Sequence, residues 1–257
     1  MQIVKPEAVE KCWSYIQCHL QRPKSPRRSA ERRLAITISR QTGSGAQAVA
    51  EKLAQILQEE RLGSKGCPWT VFDRDLIEKV LEDHRLPRRL AELFPEDHAP
   101  LIRSMVNEVL GLCPSEWTLF EHTVETILRL ADLGNVIIIG RGANLITAHM
   151  GHVFHVRLVG SPEVRLRRVQ ERLGLDEKAA RELMEREDKG RTRYLKEHFG
   201  ADINDPLLYH LVFNTDRIGL EEAARLIAEA VFHGWGVQSP AREGPEELAE
   251  SAPGMAQ

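Results

Sequence analysis

The chain has 257 residues, of which 42% are hydrophobic, so it is long and apolar enough to bury the core of one α/β domain. Its formal net charge of −3 gives no overall basic field, which argues against nucleic acid as a partner. There is no apolar run of about 18 residues and no apolar stretch behind a basic amino terminus, so we expect a cytoplasmic protein without membrane contact. The cysteines show no CxxC spacing and are expected to be reduced thiols: Cys12, Cys18, Cys67 and Cys113.

The two ends of the chain differ in composition from its middle. Residues 7–20 have helical apolar spacing, and residues 21–33 carry six basic residues and two prolines. The second stretch predicts a solvated linker, with a contact to nucleic acid or acidic lipid as the alternative. From Gly236 onward Gly, Pro, Ser, Ala and Glu dominate, which predicts a disordered tail. We therefore predict an N-terminal helix and linker over 1–33, a globular domain over 34–235 and a tail over 236–257.

Between the ends, short apolar runs alternate with helical patterns. The predicted strands are Leu34–Ile38, Trp69–Phe72, Val136–Ile139, Val153–Val159 and Leu211–Phe213. The predicted helices follow the first strand, fill most of 76–133, start after Ser161, run from Asp176 to about Lys196, and cover Gly219–Phe232. Apolar strands separated by helices predict a parallel sheet that is covered on both faces.

In such a sheet, ligands bind where the strands end at their carboxyl side. That rule selects four segments as ligand-facing: Ser39–Gln47, Asp73–Asp75, Gly140–Asn144 and Asn214–Arg217. Arg141 leaves its strand at this edge, where its fork of N–H donors would fit a monophosphate. Three nearby histidines (His149, His152 and His155) fall in a turn and a strand, so we do not expect them to share a metal ion.

The first ligand-facing segment has the composition of a phosphate-binding loop. A strand enters Gly43-Ser44-Gly45, and a helix follows directly. Glycines let successive N–H groups turn inward, and the helix amino terminus adds partial positive charge. This predicts phosphate binding by Thr42, Gly43, Ser44, Gly45, Ala46 and Gln47, with a tight turn that binds no ligand as the alternative.

With these segments the chain resembles the P-loop nucleoside monophosphate kinases, specifically the cytidylate kinase-like family. ITISRQTGSGAQAVAEKLAQIL is similar to their phosphate-loop strand and helix, and VFDRDLIEKV to the aspartate-led segment that opens the monophosphate region. VIIIGRGANLI resembles their strand that ends in Gly-Arg-Asp, and REDKGRTRY resembles their lid with its Asp-x-x-Arg arrangement. LVFNTDRIGLEEAARLI resembles the closing strand and helix.

The resemblance implies a three-layer α/β P-loop NTPase fold with a parallel sheet, a helical insertion around 76–133 and a helical lid around 176–200. It implies phosphoryl transfer from ATP to a nucleoside monophosphate such as CMP, with Mg²⁺ as a possible metal. In this interpretation Arg141 binds the acceptor, and Asp188 pairs at i,i+3 with Arg191, which closes over the transferred group. Asp73 and Asp75 flank a strand end and are candidates for the substrate site, where they would bind a ribose or base, or a metal through water. Arg165, Arg167 and Arg168, on the helix before the lid, are expected to face solvent.

The sequence departs from the family at groups that handle phosphate and metal. Ala46 stands at the loop lysine position and Ala48 at the hydroxyl position, while Ile139 and Gly142 replace the aspartates on either side of Gly-Arg. Arg40, directly after the first strand, is the candidate to replace the missing cation beside the donor phosphates. Arg40→Ala is then expected to weaken triphosphate binding more than monophosphate binding.

Three hypotheses remain open at this point. The first is a nucleotide kinase, the second is a nucleotide-binding regulatory module that has lost transfer, and the third is an interaction protein that uses only the fold. The missing lysine and metal ligands favour the second, and the retained arginines favour the first.

Overall fold

A computed structural model of the protein describes residues 6–21, 34–60, 67–77 and 118–233. The strands are β1 (Ala35–Arg40), β2 (Thr70–Phe72), β3 (Val136–Ile139), β4 (Val153–Val159) and β5 (Leu211–Asn214). The helices are α1 (Pro6–Gln21), α2 (Ala46–Glu59), α3 (Thr118–Leu133), α4 (Ala143–Ile146), α5 (Pro162–Leu173), α6 (Glu177–Phe199) and α7 (Leu220–His233). The basic linker, most of the predicted helical insertion and the tail lie outside the described residues.

The five strands form one parallel sheet in the order β2-β3-β1-β4-β5. β1 is central and pairs with β3 through Ile36 and Ile137, and with β4 through Ile36 and Phe154. Because all strands run in the same direction, their carboxyl ends meet at one edge, where Arg40 and Gly140 lie on neighbouring strands. The predicted α/β parallel-sheet fold is confirmed.

Helices cover both faces of the sheet, which gives three layers. On one face, Tyr15 and Ile16 of α1 and Ile127 of α3 pack with Val136 and Ile138. On the other face, the alternate strand residues, among them Ile36, Ile38, Ile137 and Ile139, pack with α2 and α7. Strand side chains alternate between faces, so a strand that is apolar throughout is buried on both sides, as predicted.

Local signals define both ends of the two helices that precede β5. Ser161 caps α5 by accepting from the N–H of Val164, and Asp176 caps α6 by accepting from the N–H of Ala179 at 2.7 Å. Gly174 and Gly200 end these helices in the left-handed conformation, with φ of 64° and 63°. α6 therefore runs three residues past the predicted end at Lys196.

The expectation of reduced thiols is wrong for one pair of cysteines. Cys18 of α1 and Cys67, three residues before β2, form a disulfide with their Cα atoms 5.6 Å apart. α1 packs against the sheet, where the Tyr15 hydroxyl donates to the Gly134 carbonyl at 2.6 Å, and this packing brings the two cysteines together. Their separation of 49 residues leaves no local spacing signal. Cys12 is a buried free thiol, and Cys113 lies outside the described residues.

Across the ranges that the structure describes, no helix is both long enough and apolar enough to cross a bilayer.

Candidate functional site

A cavity of about 260 Å³ opens at the carboxyl edge of β1 and β3, beneath α6. We call it the arginine cavity because its lining includes Arg40, Arg74, Arg141, Arg186 and Arg191. The other described lining residues are Thr37, Ile38, Ser39, Gly140, Gly142, Asn144, Glu187, Gly190, Tyr194, Leu195 and Ile203. Five guanidinium groups and one carboxylate, that of Glu187, meet in this described lining, so the cavity favours an anionic ligand.

Arg141 is presented to the cavity by an unusual backbone turn. Gly140, Arg141 and Gly142 all have positive φ, at 84°, 58° and 67°. The left-handed region costs a residue with a Cβ roughly 1–2 kcal/mol, and such residues concentrate at functional sites. Burial, together with the positive charge of Arg74, lowers the pKa of Arg141. Phe199 at the end of α6 lies against Gly142 and leaves no room for a side chain, so the aspartate of the family cannot be accommodated there.

Arg40 ends β1 and extends toward β3. Its guanidinium lies against the backbone of Gly140, where any Cβ would overlap it. Burial, followed by the nearby charge of Arg191, lowers the pKa of Arg40 to about 10, so the group stays charged at neutral pH. The sequence suggested a place beside the donor phosphates, but the side chain lies in the arginine cavity, whose described lining contains no residue of 41–47.

The predicted phosphate loop has the backbone that such a loop needs. Gly43 and Gly45 have φ of 80° and 85°, and Gly45 begins α2 without a side-chain cap. The Ser44 hydroxyl donates to the Gln41 carbonyl at 2.8 Å, which closes the turn. Within the described chain, no other segment accepts from the N–H groups of Gly45, Ala46 and Gln47. These amides are therefore available to an anion.

Asp188 of α6 binds the start of this loop. One carboxylate oxygen accepts from the N–H of Thr42 at 2.8 Å, from its hydroxyl at 2.9 Å and from Arg191 at 2.5 Å. The other accepts from Arg165 at 2.7 Å. Burial raises the pKa of this carboxyl, but the hydrogen bonds from Thr42, Arg191 and Arg165 outweigh burial and hold the pKa below its usual value. We call this group of four residues the lid contact.

The expectation that Arg165 faces solvent is wrong. Its side chain donates to the carbonyls of Gly160 and Thr42 as well as to Asp188, and the residue is 7% exposed. The reason is that α5 packs directly on the loop, where the Arg165 carbonyl leaves no space for a Cβ at Gly43. Arg168 donates to the backbone and hydroxyl of Thr215, and Arg167 is exposed.

The predicted aspartates after β2 are not part of the described cavity lining. Asp73 accepts from the N–H of Leu76 at 2.8 Å and so caps the helical turn that follows. Asp75 acts on Arg141 only through its charge, which raises the pKa of that arginine. Arg74, between them, is the residue of this segment that reaches the cavity.

Among the described residues, no group of side chains is arranged as a Mg²⁺ site. Ala48 and Ile139 stand where the resemblance places metal-binding groups. In the described ranges, no three His, Cys, Asp or Glu side chains come together as metal ligands. His155 shares a hydrogen bond with Thr37 at 2.8 Å, and His152 contacts the Ala131 carbonyl at 3.1 Å, so these histidines have separate partners. We therefore assign no protein ligand to a metal.

Asn144 is a cavity residue that the sequence did not single out. It is the second residue of α4, is 5% exposed and lines the arginine cavity. Its buried side-chain nitrogen, Nδ2, has no hydrogen-bond partner among the described residues. The rule that ligands bind at strand ends selected the segment Gly140–Asn144, but the direction of this side chain depends on the left-handed turn before it.

Comparison with known proteins gives one family. A sequence profile described as "Cytidylate kinase-like family" matches residues 35–217. The cytidylate kinase of Pyrobaculum arsenaticum is 29% identical over 195 residues, which is 75% of this chain and 90% of that protein. The cytidylate kinase of Pyrococcus horikoshii is 27% identical over 202 residues, with 78% and 90% coverage. A solved structure of an uncharacterized protein from Eubacterium ventriosum has a TM-score of 0.58 at 20% identity, covering 78% of this chain and 98% of that one, and it supports the fold alone.

Proposed function

The chain belongs to the cytidylate kinase-like family, and we propose that it binds a nucleoside triphosphate and a nucleoside monophosphate and transfers a phosphoryl group between them. ATP and CMP are the first pair to test, because the similar curated proteins are named cytidylate kinases. The observation that carries the proposal is the convergence of Arg40, Arg141 and Arg191, from three distant segments, on one cavity. Phosphoryl transfer depends on positioning and on positive charge around the reacting phosphates, and this arrangement supplies both.

In the proposed reaction, an oxygen of the acceptor phosphate forms a bond to the γ-phosphorus of the donor. The bond from that phosphorus to the β,γ-bridging oxygen breaks, and the departing nucleoside diphosphate keeps the electron pair. The free amides of Gly45, Ala46 and Gln47 would bind the donor, and Arg141 would bind the acceptor phosphate. Arg191, held by Asp188 at 2.5 Å, would face the transferred group.

A second function, a nucleotide-binding module with little transfer, is favoured by specific features. Ala46 and Ala48 leave the loop without its lysine and hydroxyl, and each lost charge-stabilising group costs on the order of 100-fold or more in rate. In addition, Asp188 accepts from the Thr42 amide, so a carboxylate already occupies one donor of the loop. Such a protein would bind nucleotide and signal through the lid contact rather than through a product.

One set of assays separates the two functions. Purified protein is incubated with ATP, with and without Mg²⁺, and with each common nucleoside monophosphate in turn, and diphosphate formation is measured. Binding of CMP and of a non-hydrolysable ATP analogue is measured separately by calorimetry. Turnover at roughly 1–100 s⁻¹ would support the kinase. Binding of the analogue with negligible turnover would support the module, and no nucleotide binding at all would contradict both.

Two arginines of α6 provide a matched pair of variants. Arg191 lies in the lid contact and the cavity, whereas Arg181 is exposed and, among the described residues, pairs only with Glu177, at 2.8 Å. If the protein is a kinase, Arg191→Ala should reduce turnover by about tenfold or more. If it shows no turnover, Arg191→Ala should weaken binding of the ATP analogue by about tenfold or more. Arg181→Ala should leave both unchanged. Equal effects of the two substitutions would remove Arg191 from the proposed site.

A further inference from the structure

Two groups in the arginine cavity have hydrogen-bonding capacity that the described protein does not use. The Nδ2 atom of Asn144 is buried without a partner, although buried donors are nearly always paired. The guanidinium of Arg40 makes no hydrogen bond and no ion pair with any described residue, and the charges of Glu187 and Asp73 act on it only from a distance. Both groups line the same cavity, which indicates a ligand with several acceptor atoms.

The position of Arg40 in the loop adds an independent observation. In the glycine and lysine spacing G-x-x-x-x-G-K, Gly45 is the second glycine, so Arg40 stands where the first glycine belongs and Ala46 where the lysine belongs. The loop therefore lacks the lysine cation at position 46, beside the proposed donor site, and carries the cation of Arg40 at its first position. The close approach to Gly140, which has no Cβ, gives the guanidinium its place toward the cavity.

Asn144 is held in place by a rigid local structure. Its neighbours Ala143 and Ile146 are 1% and 3% exposed, and the Thr147 hydroxyl donates to the Ala143 carbonyl at 2.6 Å. Asn144 itself is 5% exposed, so its side-chain N–H groups have little access to solvent. A phosphate is the ligand that matches a guanidinium and an amide donor together, because each of its oxygens accepts hydrogen bonds and its charge neutralises the cation.

We propose that Arg40 and Asn144, with Arg141, form a phosphate subsite for the acceptor, so that the cation of the loop serves the acceptor and not the donor. The proposal rests on the function proposed above and names residues that the sequence did not assign to the acceptor. It reverses the expectation for Arg40, since Arg40→Ala should now weaken monophosphate binding more than triphosphate binding.

The test is calorimetric binding to wild type and variants of the full chain, without turnover. The ligands are CMP, ribose 5-phosphate, inorganic phosphate and a non-hydrolysable ATP analogue. Arg40→Ala and Asn144→Ala should each raise the Kd of CMP and of ribose 5-phosphate by about tenfold, with the analogue changed by less than about twofold. Arg40→Lys, which keeps the charge and loses the fork, should give a smaller loss. Asn144→Asp introduces a negative charge in a side chain of the same size, so it should raise the Kd of CMP and of ribose 5-phosphate by more than Asn144→Ala does.

Each contrary outcome has a distinct meaning. If Asn144→Ala weakens binding of CMP but not of ribose 5-phosphate, Asn144 contacts the base and the proposal is overturned. If Arg40→Ala weakens binding of the ATP analogue alone, Arg40 binds the donor and the proposal is likewise overturned. Phosphate and ribose 5-phosphate binding that depends on Arg40 and Asn144, in a protein that never transfers to CMP, would sustain the subsite and defeat the kinase. Absence of all phosphate binding to wild type overturns the subsite. Arg181→Ala is the control, and melting curves verify that every variant is folded.

Discussion

Asp188 joins the lid helix to the phosphate loop, and Asp188→Asn tests how much of the fold depends on this contact. The substitution keeps the size of the side chain and removes its charge. One oxygen can still accept from Thr42 and Arg191, but the other becomes an NH₂ group that faces Arg165, at a position where the wild type has a 2.7 Å ion pair. One charged hydrogen bond is lost, and the three hydrogen bonds to the remaining oxygen no longer meet a negative charge.

The loss of stability expected for Asp188→Asn follows from the burial of the lid contact. The side chains of Asp188, Arg165 and Arg191 are 29%, 9% and 19% exposed, so water screens the group only in part. Hydrogen bonds to charged groups contribute about 1.5–3 kcal/mol, so we expect Asp188→Asn to lower the free energy of unfolding by about 2–3 kcal/mol at pH 7. For a chain of this size, that lowers Tm by about 4–12 °C.

The pH dependence gives the decisive measurement. The folded pKa of Asp188 lies below its unfolded value, so its stabilisation is present above the unfolded pKa and is lost as pH falls through the folded pKa. Urea unfolding should therefore show a difference between wild type and Asp188→Asn that is constant near neutral pH and shrinks below about pH 4. Glu185→Gln, on the exposed side of α6, should have almost no effect. A variant as stable as wild type, or a difference that persists in acid, would refute this account.

Three further predictions concern the loop and the N-terminal helix. Ala46→Lys should tighten binding of a non-hydrolysable ATP analogue by about tenfold without raising turnover to kinase rates, because the metal-binding groups stay absent; unchanged affinity in calorimetry would contradict this. Gly45→Ala should lower Tm, because φ at this residue is 85° and the new Cβ would overlap the Leu220 side chain. Gly190→Ala should raise Tm slightly, because Gly190 lies within a helix and has open space around it. Equal Tm shifts for the two variants would refute the reasoning. Tyr15→Phe removes a buried hydrogen bond between α1 and the Gly134 carbonyl, so it should lower the free energy of unfolding by about 1 kcal/mol, as measured in urea. An unchanged free energy of unfolding would mean that this contact of α1 contributes little to stability.

The sheet was predictable from the sequence because apolar runs report burial directly. β3 and β4 have the predicted bounds, β2 and β5 differ from them by one residue, and β1 begins one residue later and runs on to Arg40. That difference has a physical cause: Ser39 and Arg40 are polar, yet they still pair with Arg157 and Leu158 of β4, and pairing rather than hydropathy sets the end of a strand. Cap residues predicted helix starts for a similar reason, since their chemistry is local.

The site was predictable in its segments but not in the direction of its side chains. The rule that ligands bind at strand ends brought Arg40 and Arg141 to one edge. Nothing local to the VRLRRV run distinguishes Arg165, which is buried against the loop, from Arg167, which is exposed, because the difference comes from packing of α5 on Gly43. The orientation of Asn144 likewise depends on tertiary contacts.

The phosphate loop has its positive charge at a different position from the usual motif, because it lacks the lysine at position 46 and carries Arg40 at its start. This difference affects how the two proposed substrates would be bound. Ala46 and Ala48 leave the donor side with backbone amides and the α2 amino terminus, which carry only partial charge. Arg40 and Arg141 give the proposed acceptor side full charges in a partly enclosed cavity, where electrostatic interactions are stronger than in water. The cations nearest the proposed donor side, Arg165 and Arg191, already form ion pairs with Asp188. Donor binding would therefore compete with the lid contact, whereas a monophosphate in the arginine cavity would meet Arg40, which forms no ion pair with a described carboxylate. We expect affinity for the monophosphate to depend on the cavity and affinity for the triphosphate to depend on the lid.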